Sequence, residues 1–256
     1  MSGLLQLASF ASDFTDALDF LFHERESVSG QTRIGGAEML RLGANHLALS
    51  AGAVAVAAAI AVPLGLYLGH KGKGEFAAIN ASNVGRSIPT LVLLAVFVAY
   101  LGVGFVPIMI SLALLALPPI LTNTYVGTRQ VDRDSVDAAR GMGMTDSQLI
   151  RRVELPLALP IIFAGVRVAA INVVATATIA PLGSVDSLGT PIIAANVYGA
   201  DGRLGAAIAV TVLTLAISAG LAALQRAVTP RGLKLAAPAP RRARLLSPLR
   251  RRAEAT

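Results

Sequence analysis

The residue types that carry out chemistry in enzymes are sparse in this chain and do not cluster. There is no cysteine, which excludes disulfides and thiolate metal sites, and the three histidines, His23, His46 and His70, are too scattered to form a metal cluster. We expect them to be interfacial polar residues. The segment 69–75, GHKGKGE, lacks the Gly-Lys-Ser/Thr order that binds nucleotide phosphates. No nucleophile is paired with a base, so the sequence argues against an enzyme active site.

The most patterned polar segment is 137–156, DAARGMGMTDSQLIRRVELP. Thr145 is placed to N-cap a short helix over 146–153, which carries an acid in its first turn and two arginines in its last, an order that complements the helix dipole. Gly143 either ends the preceding helix or lets another backbone approach closely. Pro156 is expected to end the second helix. The pattern predicts two short helices that a partner protein could bind. A linker without a partner is the alternative.

Long apolar segments flank this polar loop. The chain is 54% hydrophobic and 14% charged, with a mean hydropathy of +0.66, whereas a soluble domain carries about a quarter charged residues. Its uncharged stretches are long enough to cross a membrane, which takes about 20 residues, and the longest is broken by a turn-like segment at 102–107. The sequence therefore predicts an all-α polytopic membrane protein with about five spans, at roughly 47–69, 86–105, 107–127, 160–183 and 204–225.

The distribution of Lys and Arg predicts the orientation in the membrane. Of the 22 such residues, 16 fall in 70–75, 128–156 and 226–256, whereas four fall in 1–46 and 184–203. Because basic loops stay in the cytoplasm, we expect the N-terminus outside and the C-terminus inside.

The same patterns divide the chain into three parts. Residues 1–45 are expected to form an external amphipathic helix followed by a polar linker, because Asp13, Asp16 and Asp19 lie on one helical face. A sixth span is the alternative, although three carboxylates are costly at a membrane centre. Residues 46–226 form the transmembrane domain, with a cytoplasmic loop at 128–156. The basic, Pro-rich tail at 227–256 is expected to be disordered or bound to anionic lipid.

Two sets of residues could line a solute path. The fourth predicted span carries a ridge of small or polar residues on one helical face: Gly165, Ala169, Asn172, Thr176, Ala180 and Gly183. Close helix packing, including packing at a dimer seam, is the alternative. A polar stripe at 80–87 could line the inner mouth or be a solvated interfacial face. The candidate residues for the path or the dimer seam are Asn172, Thr176, Gly183, Arg86 and Pro89.

The loop resembles the cytoplasmic signature of permease subunits of binding-protein-dependent ABC importers. That signature reads Glu-Ala-Ala, three residues, Gly, nine residues, Ile, one residue, Leu-Pro, and this chain departs from it by Asp for Glu and Val for Ile. The resemblance implies a type I ABC importer permease fold. It also implies an ATPase-coupling role for the matching residues, which are Asp137, Ala138, Ala139, Gly143, Val153, Leu155 and Pro156.

Further segments resemble the osmoprotectant branch of that family, which imports glycine betaine, choline, carnitine or proline. These segments are 83–91, 116–127, 155–160 and 165–180. The methionine branch shares a similar RSIP segment, so a permease for methionine or another small amino-acid-like solute is the alternative. At 181–189 the chain departs from its relatives, which carry a Gly-rich turn there; Ser184 and Asp186 could alter the outer gate or the docking of the binding protein.

The resemblance also implies partners and a location. The chain would work in a bacterial inner membrane with ATP-binding cassette ATPase subunits, a second permease subunit that is identical or related, and an extracytoplasmic solute-binding protein. ATP and Mg would bind the ATPase, and this chain would bind membrane lipid but no cofactor, metal or nucleic acid. The rival from another class is an ATP-independent secondary transporter, which usually carries an ionisable residue at the membrane midplane. None is evident here.

Overall fold

The computed structural model describes residues 2–30, 32–72 and 89–229, with side chains from residue 12 onward. The helices are α1 (Ser2–Phe22), α2 (Ala37–Lys71), α3 (Thr90–Leu101), α4 (Phe105–Arg129), α5 (Arg133–Gly141), α6 (Asp146–Leu149), a π-helix (Ile150–Glu154), α7 (Leu155–Thr176), a 3-10 helix (Ala177–Gly183), α8 (Thr190–Ile193) and α9 (Ala195–Val228). Two short strands, β1 (Glu24–Glu26) and β2 (Arg33–Gly35), form an antiparallel hairpin.

Four helical segments in the described part of the chain are long and apolar enough to cross a membrane. They are Ala37–Lys71, Phe105–Arg129, Asp146–Gly183 and Ala195–Val228. The predicted span at 86–105 contains α3, which has 12 residues and would rise only about 18 Å. Its first residues, 86–88, lie outside the described ranges. The all-α, multi-pass prediction is confirmed, and the count of five spans corresponds to four long helices and one short one.

Helix α4 lies at the centre of the bundle because glycines of its neighbours pack directly against it. A Cβ added to Gly65 of α2 would lie 2.7 Å from the Cβ of Thr124, and one added to Gly165 of α7 would lie 2.5 Å from the Cβ of Asn123. Such small residues let helix backbones approach closely in a membrane. The core around these contacts contains Leu49, Ala53, Ala57, Ile108, Leu112, Ala116, Ile120, Ala169 and Val173.

The antiparallel helices give the bundle two ends. We call the end that contains 69–72, 128–156 and 225–229 the loop end, and the end that contains 35–41, 102–104 and 181–199 the far end. At the loop end, Gln225 Nε2 donates a hydrogen bond to the Pro160 carbonyl at 2.8 Å. At the far end, the Tyr198 hydroxyl donates to Glu38 Oε1 at 2.7 Å.

The N-terminal segment packs at the far end. Phe20 of α1 is buried against α9, where added Cβ atoms on Gly202 and Gly205 would lie 3.2 Å from its ring. The guanidinium of Arg25 lies 4.8 Å from the centre of the same ring. The polar segment that follows α1 contains the β-hairpin and then the first turns of α2.

The prediction that Pro156 ends a helix before the next span is wrong. The backbone stays helical from Asp146 to Gly183, and Pro156 lies in the first turn of α7. In a regular α-helix a proline clashes with the carbonyl four residues earlier, and the wider turn of the π-helix Ile150–Glu154 comes just before it. The loop is therefore joined to α7 by helical backbone rather than by a flexible linker.

Candidate functional site

The polar loop between α4 and α7 is built from two capped helical segments. Asp132 caps α5: its Oδ2 accepts hydrogen bonds from the backbone N of Ser135 at 3.3 Å and from its Oγ at 2.9 Å. After α5 ends, Gly143 adopts a φ of +83°, a left-handed conformation that favours glycine. A Cβ there would meet nothing within 4 Å. Gly143 therefore ends the helix and is not needed for close packing within this chain.

The second segment begins with a reciprocal cap. Thr145 Oγ1 accepts a hydrogen bond from the backbone N of Gln148 at 3.4 Å, and Gln148 Oε1 accepts one from the backbone N of Thr145 at 2.9 Å. This capping box satisfies two otherwise unpaired donors. The predicted N-cap at Thr145 is confirmed. The helix predicted over 146–153 is α-helical only over Asp146–Leu149 and continues as the π-helix.

The loop has one buried face and one exposed face. Val136 and Ala139 are buried in an apolar cluster that also contains Leu66, Val131, Leu149, Ala158 and Ile162. On the other side Asp137 and Ala138 are exposed, and Met142 is 74% exposed. A large apolar side chain exposed on a polar turn is typical of a protein–protein contact surface.

The seven predicted coupling residues are divided between these faces. Asp137, Ala138 and Gly143 are exposed, Ala139 is buried, and three more are partly buried where the loop joins α7: Val153, Leu155 and Pro156. The structure therefore brings them into one segment but not onto one surface. The exposed members are available to a partner, and the others fix the loop on the bundle.

A cluster of charged and polar side chains ties this loop to the end of α2. His70 Nδ1 lies 2.9 Å from Oε2 and 3.0 Å from Oε1 of Glu154. His70 Nε2 lies 3.4 Å from Asp146 Oδ1, and Lys71 Nζ donates to Asp146 Oδ2 at 2.8 Å. The side chains of His70 and Glu154 are only 3% and 2% exposed. We call His70, Lys71, Asp146 and Glu154 the loop-end cluster.

Sequence reasoning missed this cluster. His70 and His46 were expected at the membrane interface, but both side chains are buried, and the Nε2 of His46 lies 2.9 Å from the Val174 carbonyl. His70 and Glu154 are 84 residues apart in the sequence, so no local spacing connects them. The one available signal was Glu154 itself, a single acid between Val153 and Leu155.

The candidate path residues do not form one surface. Gly183 is buried, with Ile108 Cδ1 2.9 Å from the position of an added Cβ, and Gly165 packs against α4. Asn172 is exposed and Thr176 is partly buried. Pro89 is the exposed residue before α3, and Arg86 lies outside the described ranges, as does the stripe at 80–87. Close packing therefore accounts for Gly165 and Gly183, and the outward-facing Asn172 remains the candidate for a path or a seam.

The turn at 181–189 is held by specific contacts at the far end. Ser184 has a φ of +63° and is the one non-glycine residue in the described part of the chain with a positive φ. Asp186 forms an ion pair with Arg41 at 3.0 Å. Ser187 is buried, and its Oγ donates to the Ala177 carbonyl at 3.0 Å. Ser184, with its left-handed backbone conformation, lies in the segment where the resemblance leads us to expect a glycine-rich turn.

Comparison with protein families gives the context for this geometry. The model of the family described as "Binding-protein-dependent transport system inner membrane component" matches residues 61–233, more than half of the chain. The chain belongs to this family. It is a multi-pass permease subunit of an ABC importer. The matched range contains the whole loop and the carboxyl-terminal part of α2 with His70, and it leaves out α1 and the β-hairpin.

Curated relatives of the permease cover most of its length. It is 40% identical over 200 residues to the glycine betaine/carnitine/choline transport system permease protein OpuCB of Bacillus subtilis, covering 78% of this chain and 92% of the relative. It is 40% identical over 190 residues to the carnitine transport permease protein OpuCB of Listeria monocytogenes, covering 74% and 87%. The osmoprotectant import permease protein OsmY of Salmonella typhimurium is 37% identical over 155 residues, covering 59% and 65%.

Solved structures share the fold. An inward-facing MetNI methionine ABC transporter chain superimposes with a TM-score of 0.64 at 23% identity, covering 75% of the permease and 96% of that chain. A chain of an amino acid ABC transporter solved with histidines gives a TM-score of 0.56 at 22% identity, covering 73% and 92%. The type I ABC importer permease fold is thereby confirmed.

Proposed function

We propose that this permease forms the membrane path of an ATP-driven importer for glycine betaine or a related osmoprotectant. The observation that carries the proposal is the loop at 132–154, which presents an exposed face while its other face is buried against Leu66 of α2 and against Ala158 and Ile162 of α7. A rigid element of this kind can transmit the movement of a bound partner to more than one span at once. The substrates of the curated relatives, as their names state them, support the substrate class.

The proposed assembly pairs this chain with a second permease subunit, identical or related, and with two ATP-binding cassette ATPase subunits. The exposed residues Asp137, Ala138 and Gly143 would enter a cleft on the ATPase, together with Met142. ATP and Mg would bind only the ATPase subunits, so this chain would contribute no catalytic residue. An extracytoplasmic solute-binding protein would deliver the substrate to the far end.

The proposed orientation places the loop end in the cytoplasm, with the N-terminus outside and the C-terminus inside. Its support is the concentration of Lys and Arg at 70–75, 128–156 and 226–256, because positively charged loops stay on the cytoplasmic side. The tail at 230–256 lies outside the described residues, and its association with anionic lipid is part of this proposal.

Solute specificity is proposed to reside mainly in the binding protein. Quaternary ammonium ligands are commonly held by aromatic cages, whereas only 5% of this chain is aromatic and it has no Trp. The permease would then act as a gated path, and exchanging the binding protein would change the selectivity of uptake.

Reconstituted uptake tests the function. Proteoliposomes containing the permease complex are loaded with ATP and given the binding protein outside, and labelled glycine betaine is measured with all ion gradients collapsed by ionophores. We expect uptake that requires both ATP and the binding protein. Uptake that needs an ion gradient and not ATP would identify a secondary transporter. ATP-driven uptake of methionine but not of glycine betaine would contradict the substrate class alone.

A further inference from the structure

The loop-end cluster connects the loop to α2, a helix that is not adjacent to the loop in the sequence. Helices α4 and α7 flank the loop in the sequence, so any movement of the loop reaches them through the backbone. Helix α2 ends at Lys71, far from the loop in sequence. Its polar contacts with the loop run through His70 and Lys71, which reach Asp146 at the start of α6 and Glu154 at the end of the π-helix.

A cavity lies beside the loop-end cluster. A cavity of about 600 Å³ separates the last turns of α2 from α6 and the π-helix. His70 and Lys71 line this cavity from α2, and Asp146 lines it from α6. The two elements are therefore not fully packed together at this level, and the polar contacts bridge the gap between them.

His70 lies between two carboxylates. Its Nδ1 faces the Glu154 carboxylate and its Nε2 faces the Asp146 carboxylate. A carboxylate only accepts hydrogen bonds, so His70 Nδ1 is the donor to Glu154. The ring is held from two sides and its contact with Glu154 is buried, so removing His70 leaves a buried carboxylate without its partner.

Movement that reaches α2 is passed on to the rest of the bundle. One residue before His70, Gly69 packs against Thr128 of α4, where an added Cβ would lie 2.6 Å from the threonine Cβ. One turn earlier, Gly65 packs equally closely against Thr124. Helices α2 and α4 are thus held together at the loop end and can move as a pair.

We infer that His70 is a positioning residue that transmits movement of the loop to α2 through Glu154 and Asp146. This inference rests on the proposed function, in which an ATPase moves the loop. It predicts that loss of the His70 contacts uncouples ATP hydrolysis from solute movement while the ATPase still binds. A residue with a purely structural role would instead lower the amount of folded complex and leave the ratio of solute moved to ATP hydrolysed unchanged.

The experiment compares variants in the complete reconstituted complex. His70→Gln removes the imidazole, and the exchange His70→Glu with Glu154→His restores an imidazole–carboxylate pair in reverse order. His23→Gln is the matched control, because His23 also pairs with an aspartate, Asp19, at 2.7 Å, but is exposed and lies at the far end. ATPase co-purification, ATP hydrolysis stimulated by the binding protein, and glycine betaine uptake are measured for each complex.

We expect His70→Gln to retain the ATPase and to move at least about tenfold less solute per ATP, because the buried Glu154 carboxylate loses its imidazole partner. The exchange variant should recover a large part of that ratio, and His23→Gln should match the unmodified protein. An unchanged ratio in His70→Gln would overturn the inference and leave the proposed function standing. Failure of the unmodified permease to bind an ATPase would instead contradict the proposed function.

A second variant tests the inference if His70→Gln does not reach the membrane. Asp146→Asn changes an exposed carboxylate at the rim of the cluster and leaves the His70–Glu154 pair in place. We expect it to fold and to lower the solute-to-ATP ratio by a smaller factor than loss of His70. A folded Asp146→Asn complex with an unchanged ratio would overturn the inference.

Discussion

Gly69 of α2 and Thr128 of α4 lie in direct contact, so that a Cβ on the glycine would stand 2.6 Å from the Cβ of the threonine. The threonine is itself fixed, because its Oγ1 donates to the Thr124 carbonyl at 2.9 Å. Neither side of the contact can yield easily. This pair sets the spacing between the first span and the central helix at the end of the bundle where the loop is attached.

Gly69→Ala should destabilise the permease by about 1–3 kcal/mol, because the added methyl group overpacks a rigid contact. Thermal or chemical unfolding in detergent measures the change. Gly220→Ala is the control, since nothing lies within 4 Å of an added Cβ there, and it should not destabilise. Equal stability of the two variants would show that α2 and α4 are not clamped at Gly69.

Thr145→Ala should weaken the start of α6 by about 1 kcal/mol, because it removes half of the capping box. Hydrogen exchange of the amides in Asp146–Leu149 should become faster. Ser147→Ala leaves both capping hydrogen bonds in place and should keep the exchange slow. Faster exchange in the Ser147 variant alone would contradict the role given to Thr145.

Gly143→Asp should abolish ATPase binding and uptake while the permease remains folded in the membrane. Its φ of +83° and open surroundings mean that the new side chain projects from the loop. Gly102→Asp is a close control, because Gly102 has a φ of +82° and equally open surroundings but lies at the far end. Normal ATPase co-purification with the Gly143 variant, or equal losses in both, would contradict the coupling role.

Ser184→Gly should stabilise the permease by up to about 1 kcal/mol, because a left-handed backbone costs roughly that much for a residue with a Cβ. Ser184 is exposed and has a φ of +63°. Unfolding in detergent measures the gain, and Ser184→Ala, which keeps the Cβ, should show no such gain. A destabilised glycine variant would mean that the Ser184 side chain itself holds the turn.

The elements that the sequence predicted well are those fixed by local patterns. The positive-φ glycines at 102 and 104 end α3 and begin α4 where the turn was expected, and Thr145 caps α6 through a residue three positions away. Both features depend on neighbours in the chain. The β-hairpin was missed because its strands have three residues each, too few to show a hydrophobic alternation.

The functional contacts were harder to predict because they join distant segments. His70 and Glu154 meet across 84 residues, and Arg41 and Asp186 across 145. The continuity of the helix through Pro156 depends on a π-turn, which has no clear sequence signal. The loop was therefore identified from its sequence, whereas its attachment to α2 required the structure.

The most direct test of the coupling role of the loop is a cross-link from its exposed turn. The chain has no cysteine, so Met142→Cys introduces a single thiol, and a short thiol-to-amine reagent is added to the assembled complex. We expect a product that joins the permease to the ATPase subunit, with a yield that changes when ATP is bound. Leu182→Cys, at an exposed position at the far end, should give no such product. A cross-link to the ATPase from the Leu182→Cys variant and none from the Met142→Cys variant would contradict the coupling role.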